Sequence, residues 1–518
     1  MLLRDGDDGP WSSFRIGVGE NDTQQIRVLP ANTQSSTLVV IPEACDSTIT
    51  QAGKSCTDQR GGLFMRNESK SWQYSGQYQL DTFLEERIGV AGDGLFGFDS
   101  LSLGWNGDGL PTIAEQSVAG IITPSLALGS LALNPRPINF TNYNNPVASL
   151  LQNLRNISAP IPSLSWSYTA GAYNLAPKVF GSLVLGGYDS TRFEPNNVTF
   201  PFGADDSMDL QVAIQRISVN GTRTSLQNTP IISYMSTLVP DIWLPSDTCT
   251  EFSKAFGLSF NNTSNDFYVN STMHQLNLER NPIVSMRVGP EASGDSVTIQ
   301  LPYWNFYLAT RPGTIAPDDE GTFRFPIRRA SNDTQYILGR AFLQSAYVSA
   351  DYERGIFNLS QAVFPSSSTK SRIVAILPRE PVLQKASKSG LSTGVISGIV
   401  AGSVIAILVL VAVLVLLLYR RRVQRKKTEE PHELDDTDML NTTAHEVGGD
   451  DKRHEVPDGA GLKHEMLGDS NPKIEMSACA EQEKPVEAAD TQVHVYELPA
   501  NEKKYVEMEG EGHYKEMG

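Results

Sequence analysis

Two short polar turns carry the side chains whose types and spacing suggest chemistry. Residues 28–42 read VLPANTQSSTLVVIP, which indicates an apolar strand, a polar turn beginning at Asn32, and a second apolar strand. The tetrapeptide STLV occurs at 36–39 and again at 236–239, each time after a polar turn. The two turns offer an amide at Asn32 and a hydroxyl at Ser236. These groups can position a water molecule, but they do not titrate near pH 5.

Acidic residues are absent from the sequence around both turns. Residues 24–42 and 210–240 contain no Asp or Glu. Acid-base chemistry needs a group that can take up and release a proton, so these turns alone predict hydrogen bonding without proton transfer. Asp93 and Asp241 are acids outside these two stretches that could supply a carboxyl group.

The segments that position these turns are predicted to form one domain rich in β-strands. Short apolar runs separated by Gly, Pro, Asn and Asp predict many short strands, and residues 246–257 predict a helix with Ser246 as its N-cap. Downstream of each turn an apolar pair is followed by Gly, in LALGSLALN at 126–134 and YILGRAFL at 336–343. This repeated order indicates two related halves.

Seven segments, taken in order, resemble a pepsin-like aspartic protease (peptidase A1) domain. The resemblance covers roughly 11–363 and implies an all-β bilobal fold with few short helices, an N lobe over about 11–165, a C lobe over about 180–363, and a peptide-sized cleft between them. The segments are WSSFRIGVG (11–19), RVLPANTQSSTLVVIPEAC (27–45), GLFGFDSLSLG (94–104), GIITPSLALGSLALN (120–134), FGSLVLGGYD (180–189), STLVPDIWLP (236–245) and ILGRAFLQSAYVSADYERGIFNLS (337–360).

Members of this family hydrolyse peptides with two aspartates, one per lobe, which share a proton. The resemblance places Asn32 and Ser236 at those two positions, so both look degenerate. It also implies a tyrosine about 12 residues before Asp99, in the hairpin that is called the flap in this family. This sequence has Arg87 at that position, and no tyrosine occurs between 79 and 142. The acids in matching family motifs are expected to have structural roles. They are Asp99, Asp189 and Asp351.

From these losses we expect a pseudoprotease that is not an enzyme, with no cofactor and no metal. The retained cleft suggests an extracellular ligand-binding or sensor domain for a peptide or glycan. Two alternatives stay open: an active, atypical membrane-anchored aspartic endopeptidase, and a passive cell-surface or cell-wall glycoprotein. The layout resembles a fungal membrane-anchored subgroup of the family.

Cysteines and glycosylation signals suggest the secretory route. Cys45 and Cys56 are eleven residues apart and predict a local disulfide, whereas Cys249 has no evident partner. Asn-x-Ser/Thr triplets are concentrated in the first 360 residues, and Asn441 is the one acceptor beyond them. The other acceptors are Asn21, Asn67, Asn139, Asn156, Asn197, Asn220, Asn261, Asn262, Asn270, Asn332 and Asn358.

One uncharged apolar run predicts a membrane span. Residues 395–418 are long enough to cross a bilayer, and the basic cluster RRRVQRKK at 420–427 follows them, which predicts a transmembrane helix over 394–418 with the N-terminus outside. A stalk is predicted at 364–393 and a disordered acidic cytoplasmic tail at 419–518. The expected location is the plasma membrane or another secretory-pathway membrane.

The first residues, MLLRDGDDGPWSS, lack the apolar core of a signal peptide. We therefore expect the true start to lie upstream, and a reverse signal-anchor is the alternative. Spacing of Gly394, Gly398 and Gly402 on one face of the span suggests a dimer.

Most of the excess of acidic over basic residues lies in the tail. The net charge is −17, and residues 428–518 hold 24 acidic against 8 basic residues. No basic stripe favours nucleic-acid binding. A ring–Glu–aliphatic pattern recurs in the tail and suggests docking motifs for a cytoplasmic partner. Its copies are HEL at 432, HEV at 445, HEV at 454, HEM at 464 and YEL at 496.

Overall fold

The structure of the chain is a computed structural model, and all structural statements concern the residues that it describes. These are 8–20, 23–45, 55–140, 144–158, 160–220, 225–309, 322–366, 369–379, 413–418, 420 and 495–498. The chain divides into two compact units, Met1–Glu380 with Asp490–Gly518, and Pro381–Ala489. Everything described below, apart from residues 413–418 and 420, belongs to the first unit.

The first half of the domain is one seven-stranded sheet. Its strand order is β1-β2-β7-β3-β6-β5-β4, with β2 parallel to β7 and β3 parallel to β6. The strands bury Val, Ile, Leu and Phe side chains, which build the core, and β3 and β7 are buried along their whole length. The strands are β1 (Phe14–Val18), β2 (Gln24–Ala31), β3 (Thr37–Val40), β4 (Gln73–Gln79), β5 (Asp93–Leu103), β6 (Thr112–Ile121) and β7 (Gly129–Ala132).

The remaining strands follow in chain order. They are β8 (Ser165–Ala172), β9 (Val179–Leu185), β10 (Gly187–Asp189), β11 (Thr199–Pro201), β12 (Gln211–Val219), β13 (Ser225–Gln227), β14 (Ile231–Met235), β15 (Ile242–Leu244), β16 (Ser259–Asn261), β17 (Asp266–Val269), β18 (Ile283–Gly289), β19 (Val297–Pro302), β20 (Phe323–Phe325), β21 (Ile327–Arg329), β22 (Ile337–Leu338), β23 (Ala346–Asp351), β24 (Ile356–Gln361), β25 (Ile373–Ala375) and β26 (Tyr496–Leu498).

These strands form two larger sheets and two small ones. The eight-stranded sheet runs β19-β18-β12-β14-β22-β15-β21, with β13 beside β12, and belongs to the second half. The six-stranded sheet runs β11-β24-β23-β8-β9-β26. The small sheets are β16-β17-β20 and β10-β25. The mainly-β, pepsin-like architecture expected from the sequence is confirmed; the lobe boundaries stay a prediction.

Helices in the described residues are few and short. They are α1 (Cys56–Gln59), α2 (Phe83–Glu86), α3 (Leu150–Asn156), α4 (Ser246–Phe256), α5 (Ser271–Arg280) and α6 (Arg340–Leu343), with 3₁₀ turns at Pro42–Cys45, Tyr303–Phe306 and Asp333–Gln335. The helix predicted at 246–257 is α4. Its N-cap is Pro245 instead of Ser246, which is its first helical residue, and it ends at Gly257 with a φ of 65°.

The two glycines of the internal repeat explain why the repeat exists. A Cβ on Gly129 would lie 2.2 Å from the carbonyl oxygen of Leu38, and one on Gly339 would lie 2.4 Å from that of Val239. Leu38 and Val239 belong to the two STLV segments. Each glycine therefore lets one chain segment pass directly against the backbone that follows a polar turn.

Two regions expected to lack regular structure contain strands. In the predicted stalk, β25 pairs with β10, with Ile373 opposite Asp189. In the predicted disordered tail, β26 pairs with β9 and buries Leu498. Residues 413–418 are helical and exposed, and the rest of the predicted span lies outside the described residues. Among the described residues, no helix is long and apolar enough to cross a membrane.

Candidate active site

The two polar turns meet and exchange hydrogen bonds. The Asn32 backbone N–H donates to the Thr237 hydroxyl at 3.0 Å, and the Thr237 N–H donates to Asn32 Oδ1 at 2.8 Å. Asn32 Nδ2 donates to the carbonyl of Met235 at 3.1 Å, and the Thr237 hydroxyl donates to that of Pro30 at 2.8 Å. Both residues are buried. The sequence argument therefore identified two segments that come together in space.

A carboxyl group from a third segment lies between the turns. Glu85 on α2 is fully buried, and its Oε1 accepts the hydroxyl of Ser236 at 2.8 Å and that of Thr33 at 3.0 Å. The Thr33 hydroxyl also lies 3.2 Å from Glu85 Oε2. Ser236, one of the two predicted degenerate positions, thus binds a carboxylic acid directly.

Packing of α2 holds this carboxyl in place. Leu84 is buried in a small apolar cluster with Met208, Val239 and Ile337, all more than 120 residues later in the chain. Because Leu84 is anchored there, the following residue, Glu85, is held against the turns. The exposed neighbour Glu86 lies outside this contact.

Burial raises the pKa of Glu85 above its ordinary value, and it is the largest influence on that group. Hydrogen bonds from Ser236 and Thr33 oppose the rise, whereas the charge of Asp81 adds to it. A carboxyl with a raised pKa keeps its proton into weakly acidic solution, which is the property of a general acid.

Asp81 is a second carboxyl beside the first turn. Its Oδ2 accepts the backbone N–H groups of Ser35 at 2.6 Å and Ser36 at 3.2 Å. Its Oδ1 is buried with no hydrogen-bond partner among the described residues. Burial raises the pKa of Asp81, against the lowering effect of the two backbone N–H groups and the charge of Arg136.

Each carboxyl lines a separate pocket. Asp81 lines a pocket of about 550 Å³ whose apolar wall includes Tyr78, Phe83 and Phe140. Glu85 lines a smaller pocket of about 250 Å³. A tyrosine, Tyr78 on β4, therefore lines the pocket of Asp81, although the family spacing indicated position 87, which is Arg87.

The two outside acids proposed from the sequence have other contacts. Asp241 is buried and forms ion pairs with Arg324 and with Arg328, the latter at 2.8 Å. Asp93 is exposed and accepts a hydrogen bond from Gln77 at 3.1 Å. Neither contacts the two turns in a described hydrogen bond.

Three further acids have the structural contacts that the family motifs implied. Each accepts a backbone N–H from a residue one or two positions later in the chain, as is usual for aspartates in turns. The pairs are Asp99 with Ser100 at 2.7 Å, Asp189 with Thr191 at 3.0 Å, and Asp351 with Glu353 at 3.1 Å.

The predicted modification sites are placed as follows. Cys45 and Cys56 form a disulfide, as expected, and Cys249 is a buried free thiol. Of the described sequon asparagines, Asn261 is half-buried and the others are exposed, while Asn21 and Asn441 lie outside the described residues. Among the described residues, no group of His, Cys, Asp and Glu could hold a metal ion.

Sequence comparisons agree with this fold. The family model of eukaryotic aspartyl proteases matches residues 140–362. Secreted aspartic protease 8 of Candida albicans is 25% identical over 374 residues, covering 71% of this chain and 79% of the relative. Candidapepsin of Candida tropicalis is 24% identical over 372 residues, covering 71% and 82%.

These relatives overturn one expectation. The prediction of a pseudoprotease that is not an enzyme is wrong, because both relatives are named as proteases. That prediction depended on the absence of an acid from both turns, whereas the structure places the carboxyl of Glu85, from α2, between them. The body of this chain is therefore similar to the pepsin-like domains of the eukaryotic aspartyl protease family, whose model matches residues 140–362.

Proposed function

We propose that this domain is an aspartic-type endopeptidase in which Glu85 supplies the carboxyl that the turns lack. One observation carries the proposal: Thr33 in the first turn and Ser236 in the second both donate hydrogen bonds to that carboxyl. These turns correspond to the segments in which pepsin-like proteases carry their aspartates. The protease names of the two Candida relatives support the same reaction class.

The chemistry needs one ionised and one protonated carboxyl. The ionised group takes a proton from water while the water oxygen attacks the peptide carbonyl carbon, and the protonated group gives its proton to the departing nitrogen. Glu85 and Asp81 are four residues apart, and the Asp81 charge raises the pKa of Glu85. We assign the two roles to Glu85 and Asp81, for both of which burial is the largest influence on the pKa.

The substrate class follows from the wall beside Asp81. The 550 Å³ pocket is lined by Tyr78, Phe83, Phe96 and Phe140, so it suits an apolar side chain of an extended peptide. Arg136 lies at the same pocket and adds a positive charge beside Asp81. We therefore propose peptides with a bulky apolar residue next to the cleaved bond.

The proposed location is the secretory pathway. A relative named as secreted and the exposed sequon asparagines support it. The membrane span at 394–418, the dimer through its glycines and the cytoplasmic partner of the tail stay predictions from the sequence. The sequence also left open a peptide or glycan ligand, of which the proposed function retains the peptide.

The decisive experiment replaces the carboxyl by its amide in the full chain. Cleavage of quenched apolar peptides is measured from pH 3 to 6 for the unchanged chain, for Glu85→Gln and for Glu86→Gln. We expect Glu85→Gln to lower kcat/KM by about 100-fold or more, because loss of a general acid or base typically costs that much. Glu86→Gln is the matched control: it lies on the same helix, is exposed, and should leave kcat/KM within about twofold.

Two outcomes would overturn the proposal. One is an unchanged chain that cleaves none of the peptides over this pH range. The other is a Glu85→Gln variant that cleaves as fast as the Glu86→Gln control. Circular dichroism of each variant separates loss of catalysis from loss of folding.

A further inference from the structure

The last described strand completes the edge of the six-stranded sheet. β26 runs antiparallel to β9, with Tyr496 opposite Leu185, Glu497 opposite Val184 and Leu498 opposite Leu183. On its other side β9 pairs with β8. Without β26, β9 would be the outermost strand and its outward backbone groups would lack strand partners.

Side chains on both faces of β26 contact the domain. Leu498 is 1% exposed and belongs to the main core, and Tyr496 packs partly buried against the same core. These two residues share one face of the strand because strand side chains alternate. From the opposite face, Glu497 Oε1 accepts the hydroxyl of Ser182 at 3.2 Å.

The middle position holds a half-buried acid with a positive group nearby. Burial raises the pKa of Glu497 above its ordinary value and is the largest influence; the Arg192 guanidinium and the Ser182 hydroxyl oppose the rise, and the Asp189 carboxylate adds to it. A positive group facing this position offsets part of the cost of burying a carboxylate. The edge therefore selects three properties in order: a ring, an acid and an aliphatic side chain.

We propose that the outer edge of β9 is a strand-docking site for a ring–Glu–aliphatic segment, and that the chain's own Tyr496–Leu498 is its occupant. Backbone pairing gives such a site affinity, and the alternate side chains give it selectivity. The inference is independent of peptidase activity. It also gives the recurring tail pattern a physical meaning, since YEL at 496 is one of its five copies.

The test uses hydrogen exchange of the full chain in solution, read by mass spectrometry over peptides that contain β9. Leu498→Asp places a charge in the core contact, so β26 should leave and exchange over β9 should become about tenfold faster. Met466→Asp is the matched control, because it makes the same change at the same position of another copy of the pattern. It should leave exchange over β9 unchanged.

The proposal fails if Leu498→Asp leaves β9 as protected as the control does. Exchange over β2 and β7, far along the sequence, should not change in either variant. If it does, the substitution has unfolded the domain, and Glu497→Gln with Ser182→Ala then provides the milder test, for which about threefold faster exchange over β9 is expected. Protection that grows with protein concentration would contradict the assignment to the same chain and indicate a second copy.

Discussion

The Asn32 side chain both donates and accepts hydrogen bonds, whereas an ionised aspartate at this position could only accept them. Its side-chain amide donates to the Met235 carbonyl while its side-chain oxygen accepts from the Thr237 N–H. An ionised aspartate only accepts, so it would leave the Met235 carbonyl facing a negative oxygen. The amide thus joins the turns, and proton transfer falls to the separate carboxyl of Glu85 in the proposed function.

A buried acid outside the site sets a pH dependence of stability. Asp209 is 3% exposed, and burial raises its pKa to about 7, against opposing effects of Tyr352 and Arg136. Between pH about 4 and 7 the folded state therefore holds a proton that the unfolded state has released. The free energy of unfolding should fall as pH rises through this window, by on the order of 4 kcal/mol from this group.

We expect Asp209→Asn to remove most of that fall. Urea unfolding is measured between pH 4 and 8 and compared with Asp205→Asn. Asp205 is an exposed neighbour whose pKa is lowered, chiefly by the Ser207 hydroxyl, so its effect on the slope has the opposite sign. An Asp209→Asn variant that keeps the full pH slope of the unchanged chain would contradict the assignment.

At the scale of elements, the two repeat glycines are the most sensitive positions. Ala at Gly129 or at Gly339 would bring a methyl group to 2.2 Å or 2.4 Å of a backbone oxygen. Backbone atoms cannot move aside as a flexible side chain can. We expect each substitution to lower the free energy of unfolding by about 3 kcal/mol, measured by urea denaturation.

Gly294→Ala is the control for these two variants. Gly294 has a φ of 96°, and a Cβ there would meet nothing within 4 Å. Its replacement tests backbone strain without a clash and should cost about 1–2 kcal/mol. Equal losses at all three glycines would show that close approach is not the reason for Gly129 and Gly339.

Local sequence patterns predicted many features of this molecule. They could not predict contacts between segments that are distant in the sequence. The STLV turns, the Cys45–Cys56 disulfide and α4 were read from neighbouring residues, and each depends mainly on local chemistry. Glu85 was missed because its partners lie 52 and 151 residues away in the sequence. A four-residue helix with one buried leucine gives no periodic signal that would reveal such a contact.

At the scale of the whole molecule, the docked strand constrains the topology. If the chain crossed a membrane once at 394–418, the domain and β26 would lie on opposite sides, and β26 could not pair with β9. Docking within one chain therefore requires both segments in the same compartment. In a cell that glycosylates the domain, we expect Asn441 in the tail to carry a glycan as well.

Glycopeptide mass spectrometry of the full chain checks this expectation. Asn139 is the control, since it is an exposed sequon of the domain. A glycan at Asn139 with none at Asn441, even when the chain is overexpressed with its glycosylation enzyme, would support a single crossing and contradict docking in the intact chain.

The hydrogen bonds between Asn32 and Thr237 can form only after much of the chain has been synthesised. Asn32 and Thr237 are 205 positions apart in the sequence. A ribosome that adds about 5–20 residues per second needs roughly 10–40 s to travel between them. During that interval the amide of Asn32, which the finished domain buries completely, has no partner from the second turn. The nascent first half must stay hydrated at this spot, so its final closure belongs to a late step of folding.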